Sequence, residues 1–372
     1  MRIAFIIESS YNSGGMERML ATIANEMCRY YDVTVITAFN GGQVDAFSFV
    51  GRVHRVDLGI DRTLSHSSRE LKKLYKSALA TCLQASAFDV CVSLGSLEMT
   101  FLPTINDGSR KVFWFHFALN YDIETCHITR FSRLNYIIGK VKQLRHVSVA
   151  RKYDKVVVLS KTDCKSWQRY LHNVTYIYNP LTIKKSVNPD YTVAKAMAVG
   201  RIDRQKGFDY LVDAWRIVYE KYPQWQLDIY GTGSEKNITE LRKQIEGNGL
   251  SRVVFLKGKS NDMGKNYSEH SLMVLSSRYE GFVLVLLEAS ACGLPLVSFD
   301  CKQGPAEIID DGRNGYLVRP VGNIQGLADA ICKLLGNEES RRKMGHEAEI
   351  MSERFSMEKI TVKWRMLFES LT

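Results

Sequence analysis

Two α/β domains in succession, each a parallel sheet covered on both faces by helices, are what the sequence predicts, on three observations. The chain has 372 residues, beyond the size at which a single hydrophobic core usually stops growing. Short runs rich in β-branched and aromatic residues alternate with longer segments of helical period, the pattern of strands joined by crossover helices. The alternation stops at Asn179-Pro180, gives way to a polar stretch reaching Asp190, and then begins again.

In chain order, RIAFII reads as the first strand. The segment ERMLATIANEMCRYY follows as a helix with Met19, Leu20, Ile23, Ala24 and Met27 on one face, and DVTVIT is the next strand. FDVCVSL, KVFWFHF and KVVVLS repeat the strand signal, and the first unit ends around YIYNP. KAMAVGRI restarts the pattern. KGFDYLVDAWRIVYEKY is a helix burying Phe208, Leu211, Val212, Trp215, Val218 and Tyr219, and WQLDIYGTG is a strand entering a glycine turn. RVVFLKG, SLMVLS and LPLVSF continue the strands, and helical segments at 323–335, 338–354 and 356–371 close the chain.

No uncharged run approaches membrane-spanning length, and the apolar start is cut by Glu8, too early for a signal-peptide core, so the sequence reads as a soluble cytoplasmic protein. Its eight cysteines, at 28, 82, 91, 126, 164, 292, 301 and 332, form no Cys-x-x-Cys pair. Reduced thiols follow, rather than disulfides or a metal site. The net charge of +10 implies an anionic partner without naming it. Part of that charge is concentrated at Arg130, Arg133, Lys140, Lys142, Arg145, Arg151 and Lys152, beside Leu134, Ile137, Ile138, Val141 and Leu144 at helical spacing. Two readings stand: a solvated helix face, or a surface that meets an anionic membrane. Aromatic and basic residues do not interleave on any recognisable nucleic-acid module, which argues against nucleic acid.

Ligands of open α/β sheets bind beyond the carboxyl ends of the strands, so the loops leaving those strands are the candidate sites. Gly14-Gly15 lies between the first strand and its helix, either as a tight turn or as a backbone that approaches a bulky anionic ligand. It lacks the Gly-x-Gly-x-x-Gly of a dinucleotide site, as does Gly231-x-Gly233. Arg201 and Lys206 flank a loop opening onto a helix, where two cations suit a diphosphate. Asp203 and Arg204 read as solvated. His116 ends an apolar strand and could meet a substrate hydroxyl or serve structure. In SSRYEGFVLVLLEASACG, Glu280 and Glu288 bracket seven uncharged residues. A loop at Glu280-Gly281-Phe282 followed by a helix from Val283 to Cys292 puts one carboxylate before the helix and the other more than a turn inside it. The amides of Gly281, Phe282, Val283 and Leu284 are then left at the N-terminus. Hydroxyls at two ends and an anion in the middle is the ligand with that layout.

At these residues the chain resembles, essentially end to end, the retaining nucleotide-sugar glycosyltransferases of GT-B architecture, the large family numbered four. The matching stretches are GGMERML, FHF, GRIDRQKG, YGTGSE, SSRYEGFVLVLLEASACGLPLVSFDC, GPAEIIDDGRNGYLV and RFSMEKITVKW. The resemblance implies two Rossmann-like domains facing a central cleft that closes to exclude water. An acceptor domain at 1–180 would be completed by the last helix, 356–372, and a donor domain would occupy 190–355. It implies that Glu280 holds donor-sugar hydroxyls and Glu288 the ribose diol, that Arg201 and Lys206 neutralise the diphosphate, and that His116 contacts the sugar. Gly15 would approach diphosphate and acceptor, and the backbone of Gly281, Phe282, Val283 and Leu284 would complete the cradle. The activity implied is transfer of a hexose or N-acetylhexosamine, with retention, from a uridine diphosphate donor to a glycan or lipid-linked glycan. That places the protein in surface-polysaccharide or lipopolysaccharide synthesis, in the cytoplasm and peripheral to the inner face of the membrane. No metal or other cofactor is expected, since no Asp-x-Asp triplet occurs. The chain departs from the pattern at Val283, where many relatives carry glycine or proline, which leaves the donor sugar open. A nucleotide-sugar epimerase of similar fold, and a non-catalytic nucleotide-sugar binding protein, are the alternatives.

Overall fold

The structure, a computed structural model, describes residues 1–61, 67–126, 132–183 and 187–372. Arg130 and part of the polar stretch before Asp190 therefore lie outside the described residues. The chain forms two compact units, 1–180 together with 357–372, and 181–356.

The first unit contains, in order, β1 (Arg2–Ile7), α1 (Gly15–Met27), β2 (Asp32–Thr37), β3 (His54–Asp57), α2 (Ser68–Ser86), β4 (Val90–Ser93), β5 (Arg110–Trp114), α3 (Tyr121–Cys126), α4 (Ser132–Ala150), β6 (Lys155–Val158), α5 (Lys161–Trp167) and β7 (Val174–Tyr176). The strands form one parallel sheet in the order β3-β2-β1-β4-β5-β6-β7. Ile3 through Ile7 are all buried, as expected of a strand covered on both faces. The face expected for α1 is the buried one, with Met19, Leu20, Ile23, Ala24 and Met27 fully enclosed. Helix α2 is an addition to the sequence reading. Ser67 caps it by accepting from the Glu70 amide, and Tyr75, Leu79 and Leu83 bury one narrow stripe.

The second unit runs β8 (Lys195–Val199), α6 (Phe208–Lys221), β9 (Gln226–Tyr230), α7 (Glu235–Gly247), β10 (Val254–Gly258), α8 (Met263–Ser268), β11 (Leu272–Leu275), α9 (Leu284–Ala291), β12 (Leu296–Phe299), α10 (Pro305–Ile308), β13 (Gly315–Val318), α11 (Ile324–Leu335) and α12 (Glu338–Ser352). Its sheet is parallel, in the order β10-β9-β8-β11-β12-β13. The last helix, α13 (Met357–Glu369), belongs to the first unit. Its Trp364 packs edge-on against Trp114 at 4.9 Å, and its Phe368 lies against Phe5.

In each sheet the strand order reverses once, between β1 and β4 and between β8 and β11. These are the positions where an open parallel sheet leaves a crevice at its carboxyl edge. No helix among the described residues is long and apolar enough to cross a membrane.

Candidate active site

In the second unit the loops after β8 and β11, the strands that flank the reversal, are joined to each other. The Ser276 hydroxyl donates to the Lys206 carbonyl at 2.9 Å, the Arg278 amide to the Gln205 carbonyl at 2.8 Å, and Gln205 Nε2 to the Tyr279 carbonyl at 3.1 Å. The turn between them depends on Gly207, which sits at φ +61. A β-carbon there would also overlap the carbonyl oxygen of Ser276, so glycine is needed on both counts. Gly231 is held for a related reason. A side chain on it would run into the carbonyl of Gly200, and the Ile202 amide donates to the Thr232 carbonyl at 2.8 Å. The Gly231-x-Gly233 loop therefore serves backbone contact with the loop that carries Arg201.

This closure brings Lys206 onto Glu280. Lys206 Nζ lies 2.7 Å from Glu280 Oε1, and the Ser277 hydroxyl donates to the same oxygen at 2.6 Å. The Lys206 and Glu280 side chains are 15% and 7% exposed, so the pair is largely withdrawn from water. Arg201 differs. Its side chain is 73% exposed and reaches Asp203 at 3.2 Å and Gln205 at 3.3 Å. Asp203 is not merely solvated as expected. It caps the short turn of 204–206 by accepting from the Lys206 amide at 3.1 Å, and so orients the backbone under the lysine. Arg204 is exposed.

The helix expected from Val283 to Cys292 runs from Leu284 to Ala291, with those two residues as its caps. Glu280 stands before it, and Glu288 is buried inside it, accepting from the Tyr267 hydroxyl at 3.0 Å. By helix geometry the amides of Leu284, Val285 and Leu286 have no intrahelical acceptor, and Gly281 and Phe282 lie in the loop just before the helix. Phe282 and Val283 bury their side chains, Phe282 against Phe355 at 5.6 Å. Val283 lies against Gly304, where an added β-carbon would come within 2.9 Å of Val283 Cγ2 and 3.3 Å of the Glu280 β-carbon.

Three neighbours of this site went unread in the sequence. Ser277 and Tyr267 hold the two glutamates, and Cys301 lies in the same pocket of charge. Burial pushes the Cys301 thiol well above its usual pKa, and the Glu280 carboxylate adds to the effect. Ser277 lies three residues before Glu280, a spacing that could have flagged it. Tyr267 and Cys301 are brought in only by the fold.

His116 and Gly15 belong to the first unit. His116 follows β5, lies tilted against Trp114 with ring centroids 4.3 Å apart, and has a buried Nε2 without a hydrogen-bond partner among the described residues. Burial lowers its pKa to about 3, so the ring is neutral at physiological pH and offers one donor and one acceptor. Gly15 is the first residue of α1. The tight position is its neighbour Gly14, over which the Glu17 carboxylate folds back. Hydrogen bonds from the Gly14 and Glu17 amides oppose the effect of burial, which raises the pKa of Glu17. The α1 N-terminus thus already carries a carboxylate, in the manner of a capping box.

Comparison with known proteins bears on this arrangement. The family described as "Glycosyl transferases group 1" matches residues 181–351, nearly the whole second unit. A structure of Anabaena HepE in complex with UDP-glucose superposes with a TM-score of 0.77 at 20% identity, over 100% of both chains. The second unit is a group 1 glycosyltransferase domain, and the chain as a whole has the GT-B fold. An uncharacterized glycosyltransferase of Haemophilus influenzae is 28% identical, with 98% of this chain and 99% of that protein aligned. The poly(ribitol-phosphate) alpha-N-acetylglucosaminyltransferase of Staphylococcus aureus is 29% identical over 80% of this chain, which spans 60% of that protein's length. Arg201, Lys206, Glu280 and Glu288 all fall inside the family match, and Gly15 and His116 fall outside it.

Proposed function

We propose that the protein is a retaining, metal-independent hexosyltransferase. It takes a hexose or N-acetylhexosamine from a uridine diphosphate donor and passes it to a glycan or lipid-linked glycan during surface-polysaccharide synthesis in the cytoplasm. The observation that carries this reading is the Lys206–Glu280 pair at the β8/β11 reversal, with Glu288 and the α9 N-terminus beside it. A cation, free helix amides and two carboxylates suit, in turn, a diphosphate and the hydroxyls at its two ends. The solved HepE complex with UDP-glucose and the transferase activity named for the S. aureus relative support the donor class and the acceptor class.

In this reading the bond between the sugar anomeric carbon and the β-phosphate oxygen breaks with its electron pair going to the phosphate. Lys206, Arg201 and the α9 amides stabilise that charge as it forms. The acceptor oxygen forms the new bond to the same carbon from the same face, and its proton goes to the departing phosphate. Glu280 holds sugar hydroxyls and is not a nucleophile. His116, neutral, is assigned to a sugar hydroxyl. Arg201, exposed and bonded to its sequence neighbours Asp203 and Gln205, swings onto the diphosphate when donor arrives.

A thermal-shift panel of UDP-, GDP- and ADP-sugars tests this. Ligand at about 100 times its Kd stabilises by about 2.7 kcal/mol, a rise of several degrees. UDP-sugars should raise the melting temperature, and Arg201→Ala should lose most of that rise while melting like wild type without ligand. No response to any nucleotide sugar would refute the reading. Conversion of the donor to another sugar without acceptor would favour the epimerase instead.

A further inference from the structure

The sequence places Leu134, Ile137, Ile138, Val141 and Leu144 at helical spacing, and the structure puts them on the outer face of α4. The inward face of α4 is Gly139, Gln143, Val147 and Ala150. Gly139 fixes that rotation, because a β-carbon there would come within 2.7 Å of the Ile123 Cα and 2.9 Å of the Asp122 carbonyl oxygen on α3. Gln143 locks it, donating from Nε2 to Asn120 Oδ1 at 2.7 Å and to the Leu119 carbonyl at 3.2 Å. The five aliphatic side chains, 41–62% exposed, then form one stripe about 120° wide at 100° per residue. A contiguous apolar patch of this kind on a solvent face marks an interaction surface.

The charges around it identify the partner. Arg133 and Lys140 run along one flank of the stripe, Lys142 lies on the other, and Arg145 stands within its C-terminal end. The helix holds no Asp or Glu from Ser132 to Ala150. Arg151 and Lys152 follow, both exposed. Lys72 and Lys76 of α2 join the same field, since Lys72 has its pKa lowered by burial and then by Arg145, Lys152 and Lys76. A second copy of the chain meeting this face across a two-fold axis would set cation against cation. An apolar stripe flanked on both sides by Lys and Arg is the geometry of a helix lying in the plane of an anionic bilayer.

We propose that α4 docks the first unit on an anionic lipid surface, with the Leu134–Leu144 stripe in the boundary between headgroups and acyl chains and the flanking cations at lipid phosphates. The proposal is independent of the donor assignment. It is tested by cosedimentation of the full chain with vesicles of phosphatidylcholine containing about one-third phosphatidylglycerol, against pure phosphatidylcholine. Wild type should bind only the anionic vesicles, and less as salt rises. Ile137→Asn with Val141→Asn should lower the partition coefficient about tenfold or more. Each of Lys140→Gln and Lys142→Gln should lower it about fivefold. Ile137, Val141 and Lys142 are exposed, and Lys140 is half-buried with its Nζ donating to Gln143 Oε1 at 3.1 Å, a bond a glutamine amide can replace, so the variants should keep the wild-type melting temperature and response to nucleotide sugar. Equal binding by the asparagine variant, or no binding by wild type, would overturn the proposal. So would a dimer in solution that the same substitutions dissociate, which would make a second copy the occupant.

Discussion

Replacing Glu280 by glutamine should separate two properties that a simple loss of the site would lower together. In the structure the cation assigned to the diphosphate is held by the carboxylate assigned to the sugar, at 2.7 Å. At an effective dielectric of about 20 that contact is worth about 6 kcal/mol of Coulomb energy before desolvation is subtracted. Removing one member of a buried pair costs about 3–5 kcal/mol. Glutamine keeps an oxygen for Lys206 and Ser277, so Glu280→Gln should cost the ligand-free protein about 2–3 kcal/mol. A nucleotide must draw Lys206 away from Glu280, and the variant has no such competitor. UDP should therefore bind the variant about 5–30-fold more tightly, a gain of about 1–2 kcal/mol, while UDP release from a UDP-sugar falls at least about a hundredfold. Titration calorimetry with UDP and a coupled assay of UDP release measure the two arms. Lys206→Met, by contrast, should weaken UDP and slow release together. If Glu280→Gln weakens UDP as much as Lys206→Met does, the carboxylate is not restraining the lysine and the reasoning fails.

Two further outcomes are expected. Gly207→Ala forces a side chain into φ +61 and against the Ser276 carbonyl; it should destabilise by about 3 kcal/mol or more and lower the melting temperature by several degrees, and a change within error would show that the β8 and β11 loops are not tightly joined. Glu98 is fully buried, and burial, with the Glu8 charge adding to it, raises its pKa from 4.5 to about 7 against hydrogen bonds from Ser93 and backbone. Its neutral form is the one the fold prefers, so its contribution is complete below pH 4.5 and is lost as pH rises through 7, by up to about 3 kcal/mol. Glu98→Gln removes that titration, so from pH 5 to 9 the melting curves should shift in the variant's favour up to about pH 7 and then hold a steady difference, and an offset constant over the whole range would refute the assignment.

The sheets were legible because strands buried on both faces read as unbroken apolar runs, as in RIAFII and SLMVLS, and because glutamates inside such a run stand out. Glu280 and Glu288 could be singled out for that reason, and Lys206 because it precedes a helix. What could not be read is whatever depends on contact between distant segments. Tyr267 reaches Glu288 across 21 positions, and Gly304 meets Val283 only once β12 is in place. Periodicity also has no sign. It found the aliphatic row of α4 but could not say which side faces inward, a choice made by Gly139 against α3. Between Arg52 and Ser68 the residues show no clear period, and part of that stretch, 62–66, lies outside the described residues.

The placement of α13 constrains how the molecule is made. The Leu181 amide donates to the Phe355 carbonyl at 2.8 Å, so the polypeptide leaves for the second unit and comes back at one spot, with that whole unit as a long excursion. Trp364 and Phe368, both almost fully enclosed, fill space beside Trp114 and Phe5 that earlier segments leave open. As the nascent polypeptide emerges from the ribosome, residues 1–180 must wait with this hollow unfilled until the second unit has been translated. The half written first is thus finished last, and a stop codon ahead of Met357 would spoil it while sparing the half between.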